Sequence, residues 1–279
     1  MKKCRKLLLW LIPCCVLIFV SQISINACKI SNNYDNVGLT EVGENSEGIT
    51  TNFTAEFLKK KESLRSISYI SNNLAGTLTP GSDGYAVVFV NAGIDKISRV
   101  IFTLTVYNYA GGLVASKTDT LTNLKVGSTS YIWMIPKSDS IYETVYLEGT
   151  GYDGGEILVF SSNTIRYNFA GGKYGTMQAL GGQKHHMPSS YALTSTGVLS
   201  TYNGSCIRMI TADHYQTASY GSSSTAVAFR TKETIQIKNG KFLAAQQLGI
   251  SNIQGLFGKK YDKAINQMVS YTKGLGFTK

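Results

Sequence analysis

The chain has 279 residues, 43% of them hydrophobic, which is enough for a packed core and for two domains. Four of its five cysteines fall in the first 28 residues, which excludes a disulfide framework. The net charge of +10 is unevenly spread: residues 1–28 carry four Lys/Arg and no acid, 29–172 carry 11 against 14 Asp/Glu, and 173–279 carry 12 against 3. A basic C-terminal third favours a polyanionic partner, nucleic acid first, then an anionic membrane or wall polymer. A basic surface kept for solubility is the alternative.

In chain order, residues 1–6 are basic and 7–20 are apolar, broken only by Pro13. This is a secretory leader, too short and too poorly flanked to predict a spanning helix. It ends in Ile25-Asn26-Ala27-Cys28, which resembles a bacterial lipobox and implies lipidation of Cys28 and membrane anchoring. Cleavage after Ala27 without a lipid, or a retained anchor, are the alternatives; all three place the rest of the chain outside the cytoplasm. Cys206 then stands alone in an apolar run and reads as a packing residue. Residues 28–65 read as a polar tether, with a short helix over 53–64 from the spacing of Phe53, Phe57 and Leu64.

From residue 66 the pattern changes to short alternating runs separated by Gly, Asn and Asp. Strands are predicted over 66–70, 76–79, 85–91, 99–109, 113–121, 130–135, 142–149, 156–160 and 164–169. Over 99–109, Val100, Phe102, Leu104 and Val106 alternate with Ile101, Thr103, Thr105 and Tyr107, and Tyr109-Ala110-Gly111-Gly112 is a hairpin turn. This rhythm over residues 66–170 predicts an antiparallel β-sandwich and resembles the immunoglobulin-like modules of secreted Gram-positive proteins. Tyr107, Tyr131, Tyr142 and Tyr152 either face a sugar or peptide or pair across strands. No carboxylate spacing suggests a calcium site. Residues 171–182 read as a Gly-rich linker.

Residues 183–279 predict a small α+β domain, mostly helical. All three histidines of the chain lie in its first part: the adjacent His185 and His186, followed by Pro188, and His214 after Asp213. Imidazole is both a metal ligand and a base near neutral pH. Strands at 197–201 and 206–209, joined by Tyr202-Asn203-Gly204, form a predicted hairpin between the two histidine groups. Helices are predicted over 224–239, capped by Asn239-Gly240, then 241–249, 252–257 and 259–275.

The sequence His185-His186-Met187-Pro188, Ile207-Arg208-Met209, Asp213-His214 with Thr217, Ser219 and Gly221, Phe229-Arg230, Gly240 with Phe242, and Phe257-Gly258 with Lys260-Tyr261-Asp262, Ala264-Ile265 and Gln267-Met268 resembles a C-terminal module of bacterial polymorphic toxins. The match covers residues 182–271. The resemblance implies an exported toxin, often a nuclease, held in check by a cognate immunity protein; the histidine-rich modules include the HNH, or ββα-metal, group. On that model His186 is the base and His185 a ligand or orienting neighbour. His214 and Asp213 are further ligands of a divalent metal, or Asp213 fixes a ring tautomer. Arg230 and Lys232 contact the phosphate of a nucleic acid substrate. No Asn/His pair follows His214 at helical spacing, so the expected site is water-rich and suits Mg²⁺ better than Zn²⁺. Two other readings remain open. One is metal-independent cleavage of RNA through its 2′-OH, with Arg208 or Lys184 stabilising the phosphorane. The other is a non-enzymatic envelope lipoprotein or binding module with structural histidines.

Overall fold

The computed structural model of the chain describes residues 44–278, except 46, 64, 65, 94, 154 and 155. The leader, Cys28 and the start of the tether lie outside the described residues.

The first unit is made of β1 (Glu44–Asn45), β2 (Gly48–Ile49), β3 (Thr51–Ser63), β4 (Ser66–Pro80), β5 (Gly84–Asn91), β6 (Ile97–Asn108), β7 (Leu113–Leu124), β8 (Gly127–Met134), β9 (Tyr142–Asp153) and β10 (Glu156–Tyr167). They form a six-stranded sheet in the order β1-β2-β10-β9-β6-β7 and a four-stranded sheet in the order β3-β4-β5-β8, all antiparallel. The two-residue alternation of β6 sends Val100, Phe102, Leu104 and Val106 inward. There they meet Leu74, Leu78, Val87 and Phe89 of the other sheet. Burial of each such side chain contributes about 1.5–3 kcal/mol. Phe89 is central: its ring lies 4.9 Å from Phe102, 5.7 Å from Phe53 and 6.0 Å from Phe160. At the β6–β7 turn, Asn108 Oδ1 accepts from the backbone N–H of Ala110 and Gly112, and Gly111 takes φ +82°.

The second unit is carried on a three-stranded sheet, in the order β11-β13-β12: β11 (Gly171–Lys173), β12 (Gln183–His186) and β13 (Ser205–Met209). Around it lie α1 (Ser190–Thr196), α2 (Thr211–His214), α3 (Ser224–Lys238), α4 (Phe242–Phe257) and α5 (Asp262–Gly274). Its core, including Met187, Ile207, Met209, Ile253, Ala264 and Met268, is continuous with Ile141, Tyr167 and Phe169 at the end of the sandwich. Gly171 lets α5 lie directly on β11: a Cβ there would sit 1.8 Å from the Ala264 carbonyl oxygen. No helix among the described residues is long and apolar enough to cross a membrane.

The fold class expected from the sequence, an Ig-like sandwich followed by a mostly helical α+β domain, needs correction. Among the described residues the chain is mostly β, with three antiparallel sheets and five α-helices. Distant strand partners override the local pattern. Residues 53–64, expected to be helical, lie almost wholly within β3, which pairs along its length with β4 from Thr51↔Leu78 to Ser63↔Ser66. The Gly-rich run expected as a linker supplies β11. The hairpin expected from 197–201 and 206–209 does not form. Gly197, at φ +67°, caps α1, and β13 pairs instead with β11 and β12. The helices expected over 241–249 and 252–257 are one, α4.

Candidate functional site

Strand β12 places the histidine pair. Neighbouring side chains on a strand point to opposite faces. Lys184 and His186 both lie against Tyr174: the His186 ring stacks on it at 4.2 Å and 19°, and Lys184 Nζ is 3.8 Å from its centroid. Lys184 Nζ also donates to the Tyr174 carbonyl at 3.1 Å. His186 Nε2 is 3.0 Å from the Thr201 carbonyl oxygen. A carbonyl can only accept, so Nε2 carries the proton and Nδ1 the lone pair.

His185, 4% exposed, meets His214 edge to face at 5.2 Å and 74°. His214 ends α2, the turn after β13 that Tyr261 holds in place. The Tyr261 hydroxyl donates to Asp213 Oδ2 at 2.6 Å and accepts from the Ile210 N–H at 3.1 Å. Lys260 Nζ also lies 3.1 Å from Asp213. Beyond His214 the chain folds back so that Tyr220 stands 5.1 Å from the imidazole and 4.7 Å from Tyr215. Arg230 on α3 fastens this loop, its Nη1 donating to the Ser219 and Gly221 carbonyls, both at 2.7 Å. His214 Nδ1 is buried with no hydrogen-bond partner among the described residues.

These elements enclose a cavity of about 630 Å³, lined by the three imidazoles, Lys184 and Arg230, with Tyr174, Tyr191, Tyr220 and Ser190 at its walls. No carboxylate lines it. Burial lowers the pKa of all three histidines. In His185 burial is joined by repulsion from His214 and His186 and brings the pKa to about 3. For His186, the lowering by burial and by Lys184 outweighs the bond to Thr201, which acts upward. All three rings are therefore neutral at pH 7. Beneath the floor, Glu233 accepts the Ser189 N–H at 3.1 Å, and burial pushes its carboxyl up to about 7.

The buried ring has a consequence for stability. Below pH 6.5 the unfolded chain protonates a histidine that folded His185 leaves neutral down to about 3. Unfolding then takes up a proton, so stability is full above pH 6.5 and falls as pH drops, by at most about 1.4 kcal/mol per pH unit. His185→Phe keeps an aromatic ring and removes the proton site. Denaturant unfolding at pH 7 and pH 4.5 is expected to show a smaller acid loss for this variant than for the parent. Equal losses would mean that the buried ring does not set the slope.

Of the residues singled out in the sequence, Lys184, His185, His186, His214 and Arg230 come together. Three others do not. Arg208 donates to the Asn168 carbonyl and side-chain oxygens and to the Gln178 carbonyl, tying β13 to the end of the sandwich. Lys232 is exposed on α3 and does not line the cavity. Asp213 spends its carboxylate on Tyr261 and Lys260. Among the described residues no group of three or more His, Cys, Asp or Glu is placed to hold a metal. Of the expected ligands His185, Asp213 and His214, Asp213 gives its carboxylate to Tyr261 and Lys260, which leaves two imidazoles facing the cavity, whereas Mg²⁺ takes oxygen ligands. Sequence reasoning missed Tyr174, because it follows the Gly-Gly-Lys run taken for a linker. It also missed Tyr191, Tyr220 and Glu233, which carry no local signal.

No family model and no curated protein matches the chain. Among solved structures, an arabinose-bound α-L-arabinofuranosidase matches over 40% of this chain and 22% of its own, at 14% identity. Its TM-score of 0.15 does not amount to a shared fold.

Proposed function

We propose that the second unit is a nuclease, the active part of an exported bacterial toxin, and that it cleaves RNA by histidine acid–base chemistry. One observation carries the reading: the only three histidines of the chain line a single cavity together with Lys184 and Arg230. His186, its tautomer fixed by Thr201, presents Nδ1 as the acceptor for a 2′-hydroxyl proton. The 2′ oxygen attacks phosphorus, the bond from phosphorus to the 5′ oxygen breaks, and that oxygen takes a proton from His214. The imidazole of His214 is neutral in the free protein and gains its proton when the negative phosphate lies beside it. The products are a 2′,3′-cyclic phosphate and a 5′-hydroxyl. Lys184 and Arg230 offset the charge of the phosphorane. His185 acts through His214, as a positioning residue. Tyr191 and Tyr220, 53% and 43% exposed, offer ring faces to unpaired bases. A cognate immunity protein and a membrane tether through lipid on Cys28 belong to the same proposal.

The experiment is incubation of the leader-free chain with RNA and DNA, each with and without EDTA. RNA cleavage that resists EDTA and leaves cyclic phosphate ends is expected, with DNA untouched. EDTA-sensitive cutting of DNA would overturn the metal-free mechanism. No cutting of either, with unimpaired growth of cells expressing the chain in the cytoplasm, would leave the histidines as structural groups.

A further inference from the structure

A second groove, of about 530 Å³, lies on the outer face of the sandwich over β6 and β9. Its chemistry is unlike that of the histidine cavity. Four tyrosines line it in two edge-to-face pairs: Tyr107 with Tyr146 at 5.9 Å and 79°, and Tyr109 with Tyr142 at 6.2 Å and 74°. In each pair one ring is partly buried and the other stands out, Tyr109 at 48% and Tyr146 at 41% exposed. The inner ring props the outer one, so the exposed faces are held without further ordering. Tyr109 is also backed by Gly181, where a Cβ would come within 2.4 Å of its ring. Tyr142 and Tyr146 are four residues apart on one strand, about 13 Å at the strand rise. The two pairs therefore span the groove's length.

The polar groups between them are Thr105, Thr144, Asn108 and Glu148. Asn108 uses its side-chain oxygen on the turn, which leaves its amide N–H₂ as the donor toward the groove. No lysine or arginine lines the groove, and its one charge is the carboxylate of Glu148. A polyanion is thereby disfavoured. The lining has no aliphatic side chain to take an acyl tail or a leucine-type anchor. Flat aromatic faces flanked by hydroxyls, an amide and a carboxylate match a neutral polyhydroxyl ligand: C–H faces of sugar rings on the phenols, hydroxyl groups on the polar side chains.

We infer that the sandwich binds a neutral oligosaccharide chain along this tyrosine groove. Such a site docks the protein on a glycan surface and is separate from the histidine cavity, so it stands or falls independently of the nuclease reading. Titration calorimetry of the leader-free chain with cellohexaose, chitohexaose and maltohexaose tests it. Saturable binding of at least one hexasaccharide is expected. The Tyr109→Ala/Tyr146→Ala double variant should weaken it tenfold or more while the protein still unfolds in one cooperative transition, because both rings stand outside the core. Tyr109→Phe/Tyr146→Phe should retain it, since the ring face carries the contact. Binding to none of the three sugars, undiminished binding by the alanine variant, or equal competition by dextran sulfate would each overturn the inference.

Discussion

His186→Ala is expected to lower kcat/KM for RNA cleavage by about 10²–10⁴-fold, the usual worth of a positioned acid or base. The fold should survive. The ring sits at the cavity wall against Tyr174, and the strand around it stays paired with β13 through His185↔Ile207 and His186↔Cys206. Lys184 still reaches the Tyr174 carbonyl, so substrate affinity should change less than turnover. The pH profile offers a second readout. Because burial lowers His186, the proposed base, the acid limb of kcat/KM is expected below the ordinary histidine value of 6.5, and His214, the proposed acid, is lowered too and sets the alkaline limb. Arg230→Ala should act differently, since it releases the 219–221 loop and removes a cation, and raise KM. A fully active His186→Ala protein would remove the proposed base and with it the mechanism.

What the sequence discloses of this molecule depends on how local the cause is. The alternation of Val100, Phe102, Leu104 and Val106 marks the buried face of β6 because the strand's own period fixes it. The Asn239-Gly240 stop ends α3 because a helix terminus is solved within a few residues, as Ser223 does at its start by accepting the Ala226 N–H. The three clustered histidines all line one cavity. What fails is whatever a distant partner decides. The register of β3 on β4 turns a helix-like spacing into a strand. Asp213 reads as a metal ligand until Tyr261, 48 residues away, takes its carboxylate. Arg208 reads as a phosphate contact until Asn168 claims its guanidinium. In the last two cases a charged side chain is spoken for by a group that no spacing rule could supply.

The same holds for the second large effect, a loss of stability of about 3–5 kcal/mol for Glu143→Ala, the range for breaking a buried ion pair from one side. Arg166 is 1% exposed, and its guanidinium reaches Glu143 at 2.6 and 2.8 Å. The remaining N–H groups donate to the Ile135 and Pro136 carbonyls, and the cation lies 4.4 Å over the Tyr85 ring. Glu143 in turn accepts from the Tyr85 hydroxyl and the Ser138 N–H, both at 2.6 Å. Burial acts to raise its pKa, but these bonds and the charge of Arg166 outweigh burial and hold the carboxyl below the usual range. Its contribution is therefore present above the unfolded-state pKa, near 4.5, and is lost as pH falls through the lower folded value. Alanine leaves the guanidinium buried and uncompensated, and the tyrosine hydroxyl without its acceptor. Removing both charges should cost much less, because hydrophobic replacements of a buried pair are often neutral. Urea unfolding of Glu143→Ala beside Glu143→Leu/Arg166→Met separates the two. If the single variant loses under about 1 kcal/mol, Arg166 has found water and the pair is not the closed network its geometry describes.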